Sequence, residues 1–96
     1  KMDIQNIYDE LVALSICVSA YQFSQDFLGM HKSYYGMLKA NSKKPSTESL
    51  VNLNSSIQLL ISKSVNRQQY QITMLKRIAV DIENELTRRG ANRLHC

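Results

Sequence analysis

Tryptophan is absent from these 96 residues, proline occurs once, glycine three times and cysteine twice. With so few breakers, and with 44% hydrophobic residues, the chain reads as a compact helical domain rather than a disordered one. The expected fold class is all-α. Its length suits one domain with a modest core, not a large catalytic cleft between domains. No apolar run approaches the roughly 18 residues needed to cross a bilayer, so no membrane contact is expected. The first residues are polar and Asp3, Asp9 and Glu10 follow closely, so no signal peptide is expected either. Lys1 ahead of Met2 reads as a tag remnant.

Chemistry-bearing clusters are also missing. Cys17 lies among apolar residues as a small core side chain, and Cys96 is the last residue. Neither has cysteine or histidine neighbours at metal spacing, and a reduced, cytoplasmic setting fits. His31 and His95 are far apart. There is no glycine-rich phosphate loop and no His-Glu-x-x-His pattern. Asp9 with Glu10, and Glu83 with Glu85, are adjacent or two apart on helices, so neither pair faces inward together. No catalytic residue, metal, cofactor or small-molecule substrate is expected, and the protein reads as no enzyme.

What is present centres on residues 19–46. Ser19 can cap a helix on which Phe23 and Phe27 share a face. Gly29 suits the left-handed position past a helix end. Met30 returns to the core, and a second helix opens at His31 or Lys32 with Tyr35 and Leu38 inward. Lys32, Ser33, Tyr34, Met37 and Lys39 then occupy its outer face. Gly36 is unusual there, since glycine costs about 1 kcal/mol against alanine inside a helix. Close approach of a DNA backbone or of the preceding helix is one explanation, and tolerated local weakness is the other. The loop Asn41-Ser42-Lys43-Lys44 leads to Pro45 and to Ser46, which caps the next helix. The net charge is +4, and residues 30–44 hold Lys32, Lys39, Lys43 and Lys44 with no acid, a pattern that favours phosphate contact.

Around this stretch the periodicities are helical. Ile4, Ile7, Leu11 and Leu14 make a stripe on a first helix from about Ile4 to Ser15, with Asp3 as its cap. The link Ile16-Cys17-Val18 is apolar and expected to be buried. Leu50, Leu53, Ile57, Leu60 and Ile61 carry a helix to about Ser62. A break follows, with Asn66 and Gln69 spaced as a capping box. The last helix, Arg67 to Arg89, would be roughly 35 Å long.

The order of parts resembles the helix-turn-helix DNA-binding domains of phage repressors and their bacterial relatives. The pieces are Phe23-Ser24-Gln25-Asp26-Phe27-Leu28-Gly29, then Met30, then His31 to Lys39, then Lys43-Lys44-Pro45-Ser46 before Leu50. The resemblance covers about residues 4–61, and its first segment carries one residue more than the commonest repressor spacing. It implies a bundle of four helices with a long C-terminal helix added, and sequence-specific binding of double-stranded DNA by a transcriptional regulator, a repressor where its operator overlaps a promoter. On that footing Lys32, Ser33, Tyr34 and Met37 would meet base edges. Lysine would donate to guanine acceptors, and Met37 and the Tyr34 ring would meet thymine methyls. Gln22, His31, Lys39, Asn41, Ser42, Lys43 and Lys44 would meet phosphates.

Four helices complete the unit in the resembling family, so the stripe Ile72, Leu75, Ala79, Ile82 and Leu86, spaced like coiled-coil a and d positions, is expected to form a homodimer interface. The expected division is residues 3–62 as the DNA-binding domain, 66–89 as a dimerisation helix and 90–96 as a basic tail beginning after Arg88 and Arg89. A dimer would read a palindromic operator. The alternative is a helical protein-interaction module with a degenerate motif, docking a partner through its last helix.

Overall fold

A computed structural model describes residues 2–63 and 67–91. The fold is all-α, with no strand among the described residues. Helix α1 spans Ile4–Ala13. The Asp3 carboxylate accepts from the Gln5 amide at 3.0 Å, and Ile7, Leu11 and Leu14 are buried. Ser15 takes φ 61°, and the Ile16 amide donates back to the Leu11 carbonyl at 2.9 Å. This left-handed cap ends the helix two residues short of the expected Ser15. In the link that follows only Cys17 is fully buried; Val18 is 79% exposed, contrary to expectation. The chain is extended on entering Ser19 (φ −157°), and extended backbone sends successive side chains to opposite sides.

Helix α2 spans Ala20–Gln22 and runs into a π-helical turn over Phe23–Phe27. The Leu28 amide donates to the Phe23 carbonyl, five residues back, at 3.0 Å. The Met30 amide reaches the Ser24 carbonyl, six back, at 2.9 Å. The turn keeps Phe23, Phe27 and Leu28 all buried. Helix α3 spans Tyr34–Ala40 and α4 spans Thr47–Ser62. The Ser46 hydroxyl accepts from the Ser49 amide at 3.1 Å, so α4 starts where Pro45 and Ser46 indicate. Asn52 and Ser56 of α4 donate to the Leu28 and Asp26 carbonyls at 3.0 and 3.2 Å, which ties α4 to the π turn.

Helix α5 spans Gln69–Arg88. The chain breaks between α4 and α5 as expected. The capping signal differs: the Gln68 amide donates to the Gln71 carboxamide oxygen at 3.3 Å, and Asn66 lies outside the described residues. The role expected for the stripe is overturned. Leu75, Ala79, Ile82 and Leu86, with Ile78, sit in the same buried cluster as Ile7, Leu11, Phe23 and Leu53, and Ile72 is half-buried. Along its length α5 is tied to the rest. Gln71 donates to the Leu14 carbonyl at 3.3 Å, Arg77 pairs with Glu10, and Asn54 donates to Glu83 at 2.7 Å. The stripe closes the chain's own core, so it is not available as a dimer interface or as a docking face for another protein.

The helix end is pinned by charge. Glu85 is only 7% exposed. Its carboxylate accepts from Arg88 Nε at 3.0 Å and from Arg89 Nε at 2.7 Å. Arg89 also donates to the Pro45 carbonyl at 2.9 Å and to the Thr47 hydroxyl at 3.2 Å, joining the end of α5 to the start of α4. Arg88 and Arg89 are therefore committed to Glu85 rather than free to head a basic tail. Residues 92–96 of that expected tail lie outside the described residues.

Two outcomes follow from this packing. Leu75→Asp with Ile82→Asp buries two unpaired charges, each costing several kcal/mol, against a typical total stability of about 5–15 kcal/mol. Thermal circular dichroism should show no cooperative transition; a folded variant altered only in sedimentation would contradict the packing. Separately, hydrogen bonds from Arg88 and Arg89 hold the Glu85 carboxyl down to about 2, against an ordinary 4.5. Between these values the unfolded chain binds the extra proton. The stabilisation is therefore full above 4.5 and is lost as pH falls toward 2. In melts of wild type and Glu85→Gln, the difference in Tm should shrink across that window.

Candidate nucleic-acid interface

The residues between Leu28 and Lys44 owe their arrangement to a tight turn and a borrowed cap. Gly29 sits at φ +65°, and a Cβ there would lie 2.5 Å from the Asn52 amide nitrogen. That nitrogen is already held by the Leu28 carbonyl, so it cannot yield without losing its bond. After the turn the chain does not enter helix at His31 or Lys32. Residues 31–33 form a turn in which the Tyr34 amide donates to the His31 carbonyl at 3.0 Å, and α3 begins at Tyr34.

Ser33 makes no side-chain cap to α3. The cap comes from Ser24, on the preceding π turn. Its hydroxyl is fully buried, donates to the Ala20 carbonyl at 2.9 Å and accepts from the Tyr35 amide at 2.9 Å. That amide is one of the free donors of a helix first turn, so one hydroxyl both caps α3 and sets its position against α2. At seven residues α3 is too short to persist alone. Tyr34, Tyr35 and Leu38 hold it in the core. The Tyr35 ring meets Phe23 edge-on at 5.1 Å and Tyr8 at 4.8 Å. Burial, with Asp9, Tyr8 and Asp3 nearby, pushes the Tyr35 phenol up to about 12.

Tyr34 is the main correction to the expected base-reading set. It is 6% exposed. Its hydroxyl accepts from the Ser46 amide at 2.9 Å and meets the Ser46 and Ser49 hydroxyls at 3.3 Å. Burial alone would raise this phenol. The hydrogen bonds from Ser46 and Ser49, with the Arg89 charge, bring it below its ordinary value instead. Tyr34 joins α3 to the cap of α4 and cannot reach a base edge. Its adjacency to Tyr35 hid this, because a long phenol can bury its ring beside the inward face and still find partners for its hydroxyl.

Of the remaining base-reading candidates, Lys32 and Ser33 are exposed and Met37 is half-buried. They come together in a cleft of about 390 Å³ between α2 and α3, whose walls include Tyr21, Lys32, Ser33, Gly36, Met37 and Ala40. The sequence reading missed Tyr21. It is 60% exposed, and Lys32 Nζ lies 5.6 Å from its ring centroid. Its place off the Phe23–Phe27 face was the available signal. A Cβ on Gly36 would meet nothing within 4 Å, so close approach of the preceding helix does not explain that glycine.

The phosphate candidates divide. His31 is exposed, with its ring edge-on to Tyr34 at 6.0 Å. The Gln22 carboxamide oxygen accepts from the Val18 amide at 2.8 Å, leaving only its nitrogen to donate outward. Asn41 donates to the Met37 carbonyl at 3.0 Å, so it is a helix-end residue first. Ser42 holds φ 51°, and the Lys43 amide returns to the Leu38 carbonyl at 2.9 Å; this left-handed stop turns the loop out of α3. Lys39, Lys43 and Lys44 are exposed on the other side of α3 from Tyr21. Lys39, Ser42 and Lys43 share a cleft with Asp3. Lys43 and Lys44 border another of about 460 Å³ with Asp3, Glu85 and Arg89. The site is thus an apolar cleft with one lysine on one side of α3, and a basic loop on the other. No group of three or more potential metal ligands occurs among the described residues.

Removing the borrowed cap tests this arrangement. Ser24→Ala leaves the Tyr35 amide without its partner in a buried place, a loss of about 1–3 kcal/mol. Urea denaturation should show that loss with an unchanged slope. A variant as stable as wild type would mean that α3 is positioned by packing alone.

No curated protein and no solved structure matches the chain. No helix among the described residues is long and apolar enough to cross a membrane. One family model matches residues 4–94, nearly the whole chain and all five helices. The chain belongs to that family, described as a family of unknown function (DUF6626).

Proposed function

We propose that this protein binds double-stranded DNA, presenting α3 to the major groove, and that it acts as a sequence-specific transcriptional regulator. The observation that carries the reading is a set of four exposed lysines, Lys32, Lys39, Lys43 and Lys44, flanking a helix seated by the Gly29 turn. None has a carboxylate partner among the described ion pairs. No acid occurs from Phe27 to Thr47. Cations without carboxylate partners on both sides of α3 suit the two phosphate backbones that border a groove. His31, Lys39, Lys43 and Lys44 would meet phosphate, and Lys32, Ser33 and Met37 would face bases. Each chain carries one such helix and so covers one half-site. A homodimer on a two-fold operator would have to join through a surface other than the α5 stripe.

A protein-interaction module is the second reading. Exposed Tyr21 beside the cleft, with Val18 at 79% exposure, favours it. Lys43→Ala with Lys44→Ala separates the two. Each lost phosphate contact removes about 0.9 from the slope of log affinity against log salt. The pair should weaken binding to all duplexes about equally and flatten the slope by about 1.8. An unchanged slope would put these lysines off the DNA. Failure of the wild type to bind any duplex at low salt would leave the interaction module as the reading.

A further inference from the structure

The exposed face of α3 has an unusual chemistry for a base reader. Guanine is read by arginine or lysine forks and adenine by asparagine or glutamine, whereas thymine also offers a C5-methyl group to apolar contact. From His31 to Ala40 there is no arginine, asparagine or glutamine. Lys32 stands at the edge of the cleft with its ammonium over the Tyr21 ring. Beside Lys32 and the Ser33 hydroxyl, the α3 wall of the cleft is Gly36, Met37 and Ala40, which offer no side-chain N–H or O–H donor and no oxygen acceptor. Base edges pressed against them would leave polar atoms unpaired, a costly arrangement. A methyl group is the base-edge feature that such a surface accepts.

Resting on the DNA-binding reading above, we infer that the cleft between α2 and α3 recognises C5-methyl groups of pyrimidines in the major groove, with Met37 and the Tyr21 ring as its apolar walls and Gly36 as the point of closest approach. Thymine is the principal ligand, and 5-methylcytosine presents the same methyl at the same ring position. Gly36 has no steric reason within the chain, since its missing Cβ would stand in open space. Its absence brings the α3 backbone within reach of a methyl on the partner. The lysines around α3 supply the complementary charge that makes a nucleic acid, rather than an apolar peptide, the occupant.

The test begins with selection of duplexes from a random-core pool by the full chain. Selected sequences should be rich in thymine, and each should be remade with deoxyuridine for thymine, which removes the methyl alone. Affinity should fall about fourfold for each methyl under the helix. Met37→Ala should bring the thymine and uracil duplexes together. Gly36→Ala should melt at the same or a higher temperature, because alanine is the better helix former, yet bind several-fold more weakly. Equal binding of thymine and uracil duplexes by the wild type, or undiminished binding by Gly36→Ala, would overturn the inference while leaving DNA binding intact. If the pool yields no bound duplex, the DNA-binding reading falls and the inference with it.

Discussion

One hydroxyl joins α2 and its π-helical turn to α3. Ser24 donates to the Ala20 carbonyl and accepts from the Tyr35 amide, which only a group that is donor and acceptor at once can do. Helix α3 has no side-chain cap of its own, so its first turn is satisfied by the helix it must be oriented against. The capping bond and the interhelical angle are the same interaction. The π-helical turn that carries Ser24 makes this possible. It leaves Phe23 and Leu28 fully buried on either side of the serine.

The distribution of charge follows from how the core is closed. Helix α5 lies over the core with several of its charges paired to neighbours. Arg77 meets Glu10 and Asp81, and Glu85 meets Arg88 and Arg89. The lysines of α3 and its loop have no such partners among these pairs. Surface ion pairs contribute little to stability, but their placement decides which side of the molecule carries an unbalanced field. The DNA-binding proposal rests on the acid-free run from Phe27 to Thr47 that carries the four lysines. Of the seven expected phosphate residues, Gln22 and Asn41 each spend part of their carboxamide on backbone at a helix end. Tyr34 leaves the expected interface, buried and with its hydroxyl held by Ser46 and Ser49.

Much of the architecture was readable beforehand. The Asp3, Ser19 and Ser46 caps, the positive φ at Gly29 and the inward positions of Phe23, Phe27, Tyr35, Leu38, Leu50, Leu53 and Ile57 all stand as expected. These are local or periodic features, and the physics behind them acts within one turn of chain. Two expectations failed for a common reason. Helical periodicity that turns Tyr35 inward puts Tyr34 outward, and the four-helix unit implied by the resemblance leaves the α5 stripe for a second copy. In both cases the sequence shows that a side chain or a face is suited to burial, but periodicity carries no information about what covers it.

By itself, then, the sequence determined the all-α class, the helix starts at the serine and aspartate caps, the glycine turn and the acid-free basic stretch. Each depends on residues within a few positions of one another. The tertiary structure alone decided that α3 opens at Tyr34, that its cap comes from Ser24, that the Tyr34 hydroxyl is held by Ser46 and Ser49, and that α5 completes the core it was expected to leave. Those outcomes depend on groups 11 to 15 residues apart for α3 and up to 67 apart for α5 with α1. Over such separations, burial and hydrogen-bond satisfaction are settled by the packing of the whole chain rather than by its local pattern.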